Sequence, residues 1–199
     1  YRRTLQTDRR HLLEQFRVLD MARKAVGVGS VGTRAWIVLF AGRDEADPLF
    51  LQAKEAQSSV LERFVGKSAY ANCGERVVTG QHLMQASSDI FLGWDRSSLD
   101  GGPRDFYVRQ LKDWKASIDP DAVDPSAMAA YGRACGWTLA QAHARSGDRV
   151  ALAAYLGTGP VFDRAMVSFA EAYADQNQRD FEALKQAAAS GRITAQTGR

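Results

Sequence analysis

The sequence predicts an α+β fold: a small antiparallel sheet with a glycine-rich hairpin loop, followed by a mostly helical C-terminal half. Three observations lead there. Strand-forming runs concentrate before residue 112, helical patterns fill the chain after it, and the two are segregated rather than alternating. Segregation argues against a parallel βαβ sheet. Residues 1–115 are therefore expected to form a strand-rich, nucleotide-lobe-like part and residues 116–199 a helical part, together one structural unit. Because residue 1 is Tyr and a helical pattern starts almost at once, the chain is expected to be a segment of a longer protein.

The elements are taken in chain order. Leu12, Phe16 and Leu19, with Leu13 beside them, have helical spacing and predict a helix over Thr7–Arg23. After Gly32, the run Trp36–Phe40 is β-branched and aromatic and ends at Gly42, which reads as a strand and a turn. Leu49–Ala56 completes a hairpin. Ser59-x-x-Glu62 has the form of a capping box, with Val60, Leu61, Phe64 and Val65 as one apolar face. Gly74–Ala86 is a weakly amphipathic helix. Ile90–Trp94 and Phe106–Val108 read as strands about the loop SSLDGGPRD.

In the second half, Asp124-Pro125 supplies an N-cap and a first-turn proline. Met128, Tyr131, Cys135, Leu139 and Ala142 run along one face of the helix opened there. Gly132 and Gly136 lie on another face, and two glycines in a helix suggest close approach by a neighbour. Pro160 opens the last long helix, whose stripe Phe162, Met166, Phe169 and Tyr173 is expected to pack in a core.

Bulk properties exclude several classes. A formal charge of +3, spread along the chain, does not argue for nucleic acid. No apolar run approaches the roughly 20 residues that span a bilayer, so no membrane segment is expected. Cys73 and Cys135 are the only cysteines, with no Cys or His at metal spacing, so neither a metal site nor a disulfide framework is expected. That usage fits the cytoplasm.

The candidate site is the stretch AVGVGSVGTRAWIVLF. Gly27, Gly29 and Gly32 have the spacing G-x-G-x-x-G, and Ser30 lies among them. A dinucleotide fold needs a strand before such glycines and a helix after them; here strand formers come after them and the preceding segment reads as mostly helical. A Walker loop needs Gly-Lys-Ser/Thr, whereas Gly32 is succeeded by Thr33-Arg34. The kinase arrangement places the glycine turn between antiparallel strands, with a lysine on the next strand and a glutamate on the following helix. Lys54 occupies that strand, and Gln52 shares its face while Leu51 and Ala53 point the other way. Glu62 and Glu75 are both candidate partners for its ammonium, and Glu62 also has the capping-box role.

VGVGSVGTRAW, DPLFLQAKEA, SSDIFLGWD, RDFYVRQLKDWK, CGWTLAQAHARSGD and FAEAYADQNQRD together resemble an uncharacterised bacterial family, the domain of unknown function 2252. The resemblance covers nearly the whole chain and carries no established reaction. It implies a protein about twice as long, of which this chain is similar to the C-terminal half. The N-terminal half would carry Gly-Asp-x-His-x-x-Asn and Asn-Asp-Phe-Asp motifs like the catalytic and metal loops of aminoglycoside-phosphotransferase-like kinases.

This chain contains no such catalytic residues. His143-x-x-x-x-Asp148 has the wrong spacing for a catalytic loop, and Gly147-Asp148 reads better as the start of a turn. Asp105 and Asp113 flank a segment that would be the kinase hinge, or are simply the polar ends of a strand. The function expected is the ATP-binding portion of a kinase-like phosphotransferase, inactive alone. ATP and Mg2+ would be its cofactors, the missing N-terminal half its partner, and its acceptor unspecified. The alternative is a non-catalytic binding or structural module, with Gly27–Gly32 a tight hairpin and Lys54 a strand charge.

Overall fold

The computed structural model describes residues 1–24, 30, 32–44, 46–98, 101–111 and 118–195. After a short 3-10 helix at Arg2–Thr4 come α1 (Thr7–Leu13), β1 (Arg17–Arg23), β2 (Ala35–Ala41) and β3 (Pro48–Ala56). Next are α2 (Glu62–Val65), α3 (Cys73–Met84), β4 (Gly93–Ser97), β5 (Arg104–Gln110), α4 (Pro125–Ser146), α5 (Arg149–Leu156) and α6 (Val161–Ala189). The five strands form one antiparallel sheet in the order β1-β2-β3-β5-β4. The chain divides into two compact units, Tyr1–Gly147 and Asp148–Arg199. The first therefore holds α4 as well as the sheet, with the Arg145 guanidinium donating to the Met84 carbonyl at the end of α3.

One face of the sheet makes the core. Phe40 of β2, Leu49 and Leu51 of β3 and Val108 of β5 are buried with Leu5, Leu13 and Phe91, and Val38 and Ala53 pack against them. Strand alternation puts Leu51 and Ala53 on this face and Gln52 and Lys54 on the other, as expected. The opposite face receives α3. Gly74 sits so close to β5 that a Cβ there would lie 2.2 Å from the Phe106 carbonyl oxygen, so this helix meets the sheet through a residue with no side chain.

The structure corrects several expectations. The helix expected over Thr7–Arg23 stops at Leu13, and Arg17–Arg23 is a strand. Leu12 and Phe16 keep their helical spacing by packing on the core from a helix end and a turn. Leu19 instead falls at the register shift between Val18 and Asp20 in the pairing with β2. That strand exists because β2 offers it a ladder, a nonlocal effect that a local pattern does not carry. The expected strand at Ile90–Trp94 begins at Gly93.

The apolar face Val60, Leu61, Phe64 and Val65 is exposed. So are Met166, Phe169 and Tyr173 on α6, where Phe169 and Tyr173 stack on each other at 5.7 Å. Spacing makes a stripe; only a neighbour buries it. Gly132 and Gly136 have open space where a Cβ would be, so among the described residues no neighbouring backbone approaches them closely.

Candidate functional site

Ser30, Gly32 and Thr33 mark the end of the glycine segment. The Thr33 N–H and hydroxyl both donate to the Ser30 carbonyl, at 3.1 and 2.8 Å, closing a turn. Gly32 is its third residue with φ of +83°, a value that favours glycine. The Gly27 and Gly29 positions lie outside the described residues.

Segment 24–34 joins β1 to β2, which pair antiparallel from Arg17↔Ala41 to Arg23↔Trp36. A strand thus precedes the glycines, contrary to the sequence reading. The dinucleotide arrangement is still excluded, because the element after the glycines is an antiparallel strand and not a helix.

Lys54 lies on β3 opposite Ala35 of β2 and Tyr107 of β5. Its ammonium donates to the Ser30 hydroxyl at 2.7 Å, which brings the strand lysine and the glycine segment together. Burial, and then the positive charge of Arg109, hold the Lys54 pKa below its ordinary value. An ammonium so placed favours an added negative charge.

The two glutamates are elsewhere. One Glu62 oxygen accepts the Ser59 backbone N–H at 3.2 Å, which is the capping-box contact. Glu75 stands in the first turn of α3, where Asn72 caps the helix by accepting from the Gly74 and Glu75 N–H groups. Among the described residues neither glutamate pairs with Lys54.

Around Lys54 the sheet places Arg109, which sequence reasoning missed, against Gln52. Gln52, buried at 6% exposure, shares the lysine's face, and its side-chain oxygen accepts from Arg109 Nε at 3.3 Å and Nη2 at 3.2 Å. The wall beside the lysine is therefore polar and cationic. Alternation along RDFYVRQ could have put Arg109 with Tyr107 and Asp105 on one face; only the β3–β5 register places that face beside Lys54.

At the far end of the same face, Asp105 accepts from Arg96 Nε at 2.6 Å, Arg96 Nη2 at 3.2 Å and the Cys73 N–H at 2.7 Å. Arg96 is the main cause holding the Asp105 carboxyl below the usual carboxylate range. Burial, and then Asp105, push the Cys73 thiol up, the opposite of what a nucleophile needs.

On the core face, Glu55 is a buried carboxylate with a side chain 4% exposed. It accepts from the Arg34 N–H and guanidinium, both at 3.1 Å, and from Arg104 at 3.5 Å. Burial pushes its pKa up, but the Arg34 bonds outweigh this and leave it below the ordinary value. A cavity of about 160 Å³ lined by Met21, Trp36, Val38, Ala53, Phe106 and Val108 also opens on this face. The sheet separates it from Lys54.

His143 and Asp148, whose spacing does not suit a catalytic loop, have structural places. Asp148 caps α5, its side chain accepting from the Val150 and Ala151 N–H groups, and His143 is exposed near the end of α4. Among the described residues, no three His, Cys, Asp or Glu side chains cluster so as to hold a metal ion. No helix among them is long and apolar enough to cross a membrane.

Fold and site thus define an α+β protein with a five-stranded antiparallel sheet that carries a lysine beside a glycine-containing strand connection. The chain belongs to the family described as uncharacterized protein conserved in bacteria (DUF2252), which it matches over residues 1–187. No curated protein and no solved structure matches it.

Proposed function

We propose that this chain is the nucleotide-holding portion of a kinase-like phosphotransferase, with ATP as the nucleotide. The observation that carries the reading is the 2.7 Å contact between the Lys54 ammonium and Ser30 at the end of the glycine segment. The order of parts supports it. A glycine segment joins two antiparallel strands, the lysine sits on the third, and α3 lies between the third and fourth. Kinases use the same order to cover and neutralise phosphates.

On this reading Mg2+ enters with the nucleotide and is held by loops outside this chain. Phosphoryl transfer depends on positioning together with charge neutralisation, so this portion is inactive alone. Its partner would be an N-terminal half bearing the catalytic and metal loops. Titration of the longest natural form with ATP, with and without Mg2+, tests the reading. The expected result is saturable binding that Lys54→Ala weakens at least tenfold; binding indifferent to that substitution overturns it.

One observation favours a second reading, a non-catalytic binding or structural module. The lysine–glutamate pair that an assembled kinase site requires is not formed by Glu62 or Glu75. On that reading Lys54→Ala changes neither ATP binding nor thermal stability appreciably.

A further inference from the structure

We propose that Lys54 and Arg109 form a two-cation anion site on one face of the sheet, with Gln52 as the residue that positions Arg109, for a ligand bearing adjacent negative groups such as a polyphosphate chain. The proposal rests on the nucleotide reading and names which part of the nucleotide this face takes.

The sheet register makes the pair. Lys54 stands opposite Tyr107 and Gln52 opposite Arg109, so Lys54 and Arg109 are diagonal neighbours on adjacent strands and share a face. Diagonal side chains at that offset lie within about 7–8 Å of each other, which long side chains bridge easily. One tetrahedral anion or two consecutive phosphates can meet both.

Charge pairing separates these two from the other cations of β3, β4 and β5. Arg96 is paired with Asp105, and Arg104 with Glu55. Among the described residues neither Lys54 nor Arg109 has a carboxylate partner. Asp105 lies on the same face, but its oxygens are occupied by Arg96 and the Cys73 N–H. Two unneutralised cations side by side on a half-buried surface repel each other, and a bound anion removes that cost.

Gln52 supplies the geometry. A buried amide oxygen that accepts from two nitrogens of one guanidinium fixes the plane of that fork. The remaining N–H groups have no partner among the described residues. A pre-oriented arginine fork matches phosphate oxygens with little loss of conformational freedom. The same residues oppose an alternative use of this wall. An adenine ring needs an apolar face, and the position two before the lysine is here a polar side chain engaged with an arginine.

The test is calorimetric titration of the longest natural form with ATP, inorganic tripolyphosphate and adenosine, using Arg109→Ala, Arg109→Lys and, as a control for general charge, Arg43→Ala. Arg43 is exposed and, among the described residues, bonded only locally to Asp44 and Asp47. Arg109→Ala is expected to weaken ATP and tripolyphosphate at least tenfold, with Arg109→Lys between it and the parent and Arg43→Ala unchanged. Adenosine binding should not respond to Arg109. Should Arg109→Ala unfold, the Arg109→Lys result decides.

Parent-like affinity for both anions in the Arg109 variants overturns this proposal, while ATP binding that still needs Lys54 leaves the nucleotide reading standing. Equal affinity for tripolyphosphate and ATP, both sensitive to Arg109, supports the anion site and overturns nucleotide specificity. Binding of neither anion overturns both.

Discussion

Replacing Glu55 by alanine removes the only buried carboxylate that the described core face contains. Its two oxygens accept from the Arg34 N–H, the Arg34 guanidinium, Arg104 and Gln57. Breaking a fully buried ion pair from one side costs about 3–5 kcal/mol, because the surviving charge stays desolvated. Here the arginine side chains remain 25% and 33% exposed, so water compensates part of the loss. The Arg104 contact is also long, at 3.5 Å.

The expected destabilisation is therefore about 2–3 kcal/mol, the upper range for hydrogen bonds to a charged group. In a domain of this size that lowers the melting temperature by roughly 4–12 °C. Urea unfolding followed by tryptophan fluorescence measures it, since Trp36 and Trp94 lie on β2 and β4. Glu55→Gln should lose less, because it keeps one acceptor oxygen. An unfolding free energy for Glu55→Ala within about 0.5 kcal/mol of the parent would refute the reasoning, since that is the scatter of ordinary surface substitutions.

The carboxylates, the glycines and one helix cap give three more expected outcomes. Glu55 and Asp105 both have carboxyl pKa values lowered in the fold. Their contribution to stability is present above the unfolded values of about 4.3 and 3.9 and is lost as pH falls through the folded values. Urea midpoints should therefore drop on acidification below about pH 4, less steeply in Glu55→Gln. Gly74→Ala drives a Cβ into the Phe106 carbonyl and should cost about 3 kcal/mol or more, whereas Gly132→Ala meets open space and should stabilise by about 0.5–1 kcal/mol. Thermal melts of the two variants check both signs. Asp148→Ala removes the cap of α5 and should cost about 1 kcal/mol with ATP binding unchanged; a loss of binding would overturn the purely structural role of Asp148.

The sequence alone determined what short-range chemistry dictates. The hydrophobic run Trp36–Phe40, the alternation of Leu51 and Ala53 against Gln52 and Lys54, and the Asp124-Pro125 cap each act within a few residues, and each is found where its pattern placed it. It also put Lys54 on the strand that comes after the one succeeding the glycines.

What only the tertiary structure decided depends on partners distant in sequence. RVLDMAR is a strand because β2 lies beside it, and the helical spacing around it gave no hint of that ladder. The aromatic stripe of α6 has the pattern of a core helix, yet Phe169 and Tyr173 are exposed. Arg109 comes beside Lys54, across 55 positions of sequence, only through the register of β3 on β5. Local preference sets the direction in which a side chain leaves its strand; the pairing of strands sets what it meets there.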